Sequence, residues 1–340
     1  MLHLTKNLVY MRRAHVFMKC QQPLRASLFE EFMISNMDSS SRIPFYPAHF
    51  KIPSMDNVEH EFWEDVFVRI MTLHQYTGIE HLSGSFGYCA RIIKQNYHYS
   101  KLYISNGMFD GTELCDFYND LIDQPNLFLK RFRVCKSVVY KNPSTKAAKI
   151  KQNLTDMLEK YLAEPGMLAL DLYSPTIDDH WIQLFSSWQG LNMLLIGCFF
   201  VEPVVQLLEK LLNQEQLVHL VLLNGDYGPR GIALFLKFLQ QKQSRDLAFC
   251  KNGNDFIERI LEEEDLGRFS QKAISWPYFV ERKETLLHND SFEAVGQVSN
   301  DAFQFKWRSM VVSYHNLFAT NGMSQEQFMN GATEAEVRFL

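Results

Sequence analysis

The stretch "NGDYGPRG", residues 224–231, comes nearest in this chain to a phosphate-binding loop. It follows an apolar run and precedes a helical pattern, the context in which backbone amides at a helix start cradle an anion. It carries no GK[ST] and does not fit GxGxxG, and turn chemistry between a strand and a helix accounts for it. "DDHW", residues 178–181, puts two acids beside an imidazole, the ingredients of acid–base chemistry; Asp178 reads more simply as a helix cap. The 11 histidines include no HExxH and no paired spacing, and GxSxG is missing. The 6 cysteines (Cys20, Cys89, Cys115, Cys135, Cys198, Cys250) form no CxxC pair, so they read as reduced thiols rather than zinc ligands or disulfides. "KRFRVCK", residues 130–136, has the charge to touch RNA or an acidic protein, but reads more simply as the edge between a helix and a strand. Asn153 and Asn289 start glycosylation-type triplets that are incidental in a chain read as intracellular. The expectation is a non-enzyme with no cofactor and no metal.

Bulk properties agree with that expectation. The 340 residues are 46% hydrophobic and 14% aromatic, enough for one large or two medium cores. A formal charge of -5 with no long basic block predicts no general attraction to nucleic acid. The longest apolar stretch, "LNMLLIGCFFV", contains a turn and falls short of the roughly 18–20 residues a membrane-spanning helix needs, so no membrane partner is predicted.

The elements that would position any site repeat. An apolar triplet with the spacing oxxoxo starts at Met167, Leu191 and Leu217 and recurs in weaker form from Ser244 and Gln271, at steps of 24, 26, 27 and 27 residues, with looser copies at Tyr99 and Cys135. Polar turns and helical patterns follow, as in "VEPVVQLLEKLLNQ" and "PRGIALFLKFLQQK", where Pro203 and Pro229 suit a first helical turn. Leu207, Leu208, Leu211 and Leu212 make the inward stripe of one helix, and Ile232, Phe235, Leu236 and Leu239 that of the next. This strand–turn–helix period resembles leucine-rich repeats, which implies an α/β solenoid with a parallel sheet along one side. The repeat's usual asparagine is replaced by Phe199 and Gly225, with Asn224 one residue early; the alternative is an open α/β sheet. After about residue 277 the pattern turns strand-like, a terminal cap, and "SQEQFMNGATEAEVRFL" reads as a short helix or a tail.

Residues 1–54 form a basic leader, acid-free before Glu30, and a linker with Pro44, Pro47 and Pro53. The leader keeps mitochondrial targeting as a minor alternative to a cytoplasmic or nuclear location. "MDNVEHEFWEDVFVRI" then opens a helical head, residues 55–98, capped by Asp56 or Asn57, with Val58, Phe62, Val66, Ile70 and Leu73 along one face and Trp63 and Phe67 widening it. With "HLSGSFGYCARI" (81–92) behind it, this head resembles a divergent F-box, of the kind that nematodes have expanded alongside repeat-bearing bodies. Glu59 stands where that family has proline, and no tryptophan follows Cys89. The resemblance implies docking of a Skp-type adaptor of a cullin ubiquitin ligase through Val58, Phe62, Trp63 and Val66. The repeats of 99–276, capped by 277–340, would then hold an unknown target protein. A stand-alone scaffold without a ligase link is the other reading.

Overall fold

The computed structural model describes residues 84–116, 120–123, 132–224, 227–250, 256, 259–260, 266–277, 293–299, 302–316, 319 and 323–340. Val58, Phe62, Trp63 and Val66, with residues 1–83 as a whole, lie outside the described residues. The chain divides into two units, residues 1–100 with 113–136 and residues 101–112 with 137–340.

In the first unit, helix α1 (Gly84–Asn96) includes both glycines of the "SGSFGY" stretch and buries Cys89 and Ala90. The Asn96 side chain donates back to the Ile92 carbonyl at 2.7 Å, which closes the last turn. The Tyr97 and Tyr99 hydroxyls then meet at 2.8 Å, and burial raises the pKa of both. His98 sits 3.0 Å from the Asn96 carbonyl; burial lowers its pKa despite that acceptor, and Arg133 adds to the lowering.

The second unit contains part or all of twelve strands in one open sheet, ordered β2-β1-β3-β4-β5-β6-β7-β8-β12-β11-β10-β9. These are β1 (His98–Ser105), β2 (Met108–Asp116), β3 (Arg133–Lys141), β4 (Met167–Leu172), β5 (Leu191–Ile196), β6 (His219–Leu222), β7 (Asp246–Phe249), β8 (Ala273–Pro277), β9 (Glu293–Ser299), β10 (Ala302–Trp307), β11 (Met310–His315) and β12 (Glu334–Phe339). All seven apolar triplets of the sequence fall on or against a strand. Their fourth and sixth residues, from Leu102 and Ile104 in β1 to Ile274 and Trp276 in β8, are at most 1% exposed. A step of two along a strand keeps both on one face, and that face carries the core.

Strands β4 to β8 pair in parallel, one after another. Parallel neighbours need crossovers, and helices α3 (Asp179–Ser186), α4 (Glu202–Asn213) and α5 (Gly228–Gln240) supply three of them; α2 (Gln152–Leu162) links β3 to β4. The backbone ladder runs one residue past each strand: Gly197 N–H donates to Leu172, Leu223 to Ile196 and Cys250 to Leu222 at 2.7–2.9 Å. Helix α4 buries Val204, Val205, Leu207, Leu208, Leu211 and Leu212, the stripe expected. In α5 the expected stripe is rotated. Phe235 and Leu239 are buried, but Phe238 and Leu234 join them while Ile232 and Leu236 are only partly covered. The cause lies at the helix start, where Gly231 lets the Phe200 ring and Tyr227 approach; a Cβ there would sit 2.8 Å from Tyr227 Cβ. Phe200, Tyr227, Phe235, Phe249 and Phe256 interlock at centroid distances of 5.1–5.9 Å.

At the opposite end of the strands, side chains reach back by one repeat. Gln214 donates to the Ser186 carbonyl at 2.6 Å, Gln216 to Trp188 at 3.1 Å and Gln241 to Leu212 at 2.5 Å. Buried Lys272 ends this series, donating to the carbonyls of Gln241, Lys242 and Ser244 at 2.8, 3.1 and 2.5 Å. Carbonyls that a helix end leaves without partners are thereby satisfied from the next unit along the chain.

Two elements differ from the expectations. Residues 105–108, "SNGM", form a tight turn with Asn106 and Gly107 at φ 50° and 74°, so β1 returns as β2. The last stretch is neither a short helix alone nor a tail: α6 (Gln325–Asn330) is followed by β12, which inserts antiparallel between β8 and β11. The strand-like C-terminal region therefore continues the same sheet. Its outer strand β9 meets β10 with two register shifts that leave out Val295 and Val298. Such bulges twist an edge strand away from further pairing.

Candidate functional site

The motifs that promised chemistry are structural where they are described. Asp178 accepts from the His180 and Trp181 amides at 3.1 Å and caps α3, while His180 is 83% exposed and 3.8 Å from the same carboxylate. Trp181 is fully buried and donates to the Ala148 carbonyl. In "NGDYGPRG", Tyr227 precedes α5 and Pro229 occupies its first turn, and Asn224 donates to the Gly197 carbonyl 27 residues earlier at 2.8 Å. So one asparagine does bond across repeats, from the position one residue early. Arg133 and Lys136 of "KRFRVCK" are buried at the start of β3, not spread on a surface. Cys89, Cys115, Cys135 and Cys198 are buried free thiols, and burial pushes Cys198 up to about 12. Among the described residues no group of His, Cys, Asp and Glu could hold a metal, and no helix is long and apolar enough to cross a membrane.

A surface is left to consider, the sheet face turned away from helices α2 to α6. Its residues alternate with those of the core, so strand register aligns them in rows. One row runs Asp171, Leu195, Val221, Ala248, Ser275, Glu336, Ser313 and Gln304. The next runs Ala169, Met193, His219, Asp246, Ala273, Arg338, Val311 and Lys306. The middle of the first row is not bare: Leu195, Ala248, Ser275 and Glu336 are buried. Glu336 receives Arg338 at 2.7 Å, and His219 Nδ1 lies 2.8 Å from the Asp246 carboxylate on the paired strand.

Exposure rises at the carboxyl ends of the parallel strands, where ligands of open α/β sheets commonly bind. Phe199, just after β5, is 72% exposed, and Val201, just before α4, is 40% exposed. Its neighbour Phe200 points the other way, into the aromatic core. In the sequence Phe199 stands out only as the residue where a repeat asparagine belongs. Two strands away, Lys141 ends β3 with its ammonium 4.9 Å from the centre of the Tyr103 ring and 5.8 Å from that of Tyr173. Tyr173 lies against Gly197, where an added Cβ would come within 2.6 Å of the ring. Asp171 stands nearby; burial raises its pKa, and Ser137, Lys101 and Lys141 pull it back down. Nothing in the sequence spacing announces this grouping, because it joins β1, β3 and β4 from separate stretches.

The arrangement offers apolar and cationic contact rather than a nucleophile with its base. The chain matches no protein-family model, no curated protein and no solved structure.

Proposed function

We propose that this protein is a non-catalytic adaptor whose strand–helix body is an irregular leucine-rich-repeat-like solenoid that binds a protein target. The observation that supports this most is Phe199: a large aromatic side chain at 72% exposure on the rim of a regular parallel sheet. Such side chains are the anchors of protein interfaces, because they bring much apolar area at little conformational cost. The head of residues 55–98, through Val58, Phe62, Trp63 and Val66, docks a Skp-type adaptor of a cullin ubiquitin ligase in this reading. The protein then acts by raising the effective concentration of its target beside the transferring enzyme, in the cytoplasm or nucleus.

The test is co-expression of the full chain with a Skp-type adaptor and co-purification, beside a Phe62→Ala, Trp63→Ala double variant checked for folding by circular dichroism. Loss of binding in the folded double variant supports the ligase link. No binding by the folded parent removes that link and leaves a stand-alone protein-binding scaffold.

A further inference from the structure

The rim beside Phe199 holds a cation already oriented toward solvent. Lys141 is exposed, yet its long side chain is fixed between the Tyr103 and Tyr173 rings, whose faces are electron-rich. Among the described residues no carboxylate lies within ion-pair distance of its ammonium. Other cations of the body are engaged differently. Arg230 is held by Glu202 and Glu209, Arg338 by Glu336, Lys237 by Asn213 and Lys272 by three carbonyls. Tyr173, one wall of the lysine's seat, is itself placed by Gly197. A flexible surface lysine loses much rotamer freedom on binding; one stacked between two rings has already lost it.

We infer, building on the protein-binding reading above, that the bay at Lys141 and Phe199 together receive an acidic segment of the target, its carboxylate at Lys141 and an apolar side chain on Phe199. Lys141 ends β3 and Phe199 follows β5, two strands along the sheet. Strands lie about 4.8 Å apart, so the two contacts are separated laterally by about 10 Å, which an extended chain covers in about three residues. The recognised segment therefore carries an acidic and an apolar residue about three positions apart.

The test uses fluorescein-labelled peptides of about twelve residues in a Gly/Ser background, long enough to span the bay when extended. One carries Asp-Glu followed by Leu at that spacing; others carry Asn-Gln in place of the acids, phosphoserine in place of the acids, or Ser in place of Leu. Anisotropy is read on the full chain and on its Lys141→Ala, Phe199→Ser and Lys210→Ala variants, the last an exposed lysine on α4. The expected result is binding of the acidic peptide that weakens with salt and drops about twofold to fivefold in Lys141→Ala but not in Lys210→Ala, the scale of one partly exposed charge contact. Tighter binding of the phosphoserine peptide with the same dependence on Lys141 identifies phosphate as the preferred anion. Equal binding of the neutral peptide, or equal loss in both lysine variants, overturns the anion assignment while the protein-binding reading stands. If no peptide binds at about 1 mM, a free energy of about -4 kcal/mol, the acidic-segment assignment is overturned, while the protein-binding reading is judged by the co-purification above.

Discussion

Replacing Lys272 with Met should leave the protein nearly as stable as its parent at neutral pH and clearly less stable at pH 10. The side chain is buried, and its ammonium donates to the carbonyls of Gln241, Lys242 and Ser244. Burial lowers its pKa from 10.5 to about 8, helped by Arg245 and opposed by Asp246. The sign follows from proton counting. Below pH 8 the lysine is charged folded and unfolded, and the fold bears the whole cost of burying the charge. Between pH 8 and 10.5 the folded lysine releases its proton while the unfolded one keeps it, so that cost disappears and stability rises. From pH 7 to pH 10 this rise is about 2–3 kcal/mol. The Met variant lacks it. It also leaves the Lys242 and Ser244 carbonyls without this donor, at about 1–3 kcal/mol for each group so exposed in a buried site. At pH 7 that loss is offset by the relief of about 3 kcal/mol from removing a buried charge. Urea unfolding, followed by tryptophan fluorescence of both proteins across pH 7–10, isolates the difference. Titrations shared by the pair cancel, among them Tyr99, Tyr173 and Tyr227, whose raised pKa values cost stability above pH 10. A stability difference constant across that range would refute the reasoning.

Three further outcomes follow from the packing. Leu211→Ala empties a fully buried position on α4 and should cost about 2–5 kcal/mol in urea unfolding. Asp178→Ala removes both cap bonds of α3 and should cost about 1 kcal/mol, whereas His180→Ala, at an exposed position, should stay within about 0.5 kcal/mol. Cys198, buried with its pKa pushed up to about 12, should be alkylated well after the partly exposed Cys250 when the native chain is treated with iodoacetamide at pH 8 and mapped by mass spectrometry.

Much of the sheet was legible in the sequence because its strands announce themselves by local pattern. The oxxoxo spacing places two side chains on one strand face, and that pattern located seven strands and the core-facing residues of each. The β1–β2 turn also has a local signal, Asn-Gly. Other features depend on partners far along the chain. The rotation of the α5 stripe follows from Phe200 and Tyr227 packing over Gly231, and the insertion of β12 follows from register with β8 and β11. The glutamine contacts between repeats were hidden because Gln214 and Gln241 look like ordinary polar residues after a helix. The rim site was half legible: Phe199 stood out as a departure from the repeat, but the seat of Lys141 between Tyr103 and Tyr173 needs the folded order of β1, β3 and β4.

The insertion of β12 divides the sheet into two classes of pairing that differ in when they can form. Neighbours from β4 to β8 are separated by about one strand–helix unit and close short loops, so each can dock soon after its predecessor. Strand β8 must wait for Glu334–Phe339, which the ribosome makes roughly sixty residues later, and until then its free edge is open to mispairing. During synthesis, then, the vulnerable point is the outer edge of β8, and a chaperone or a premature stop would act there first.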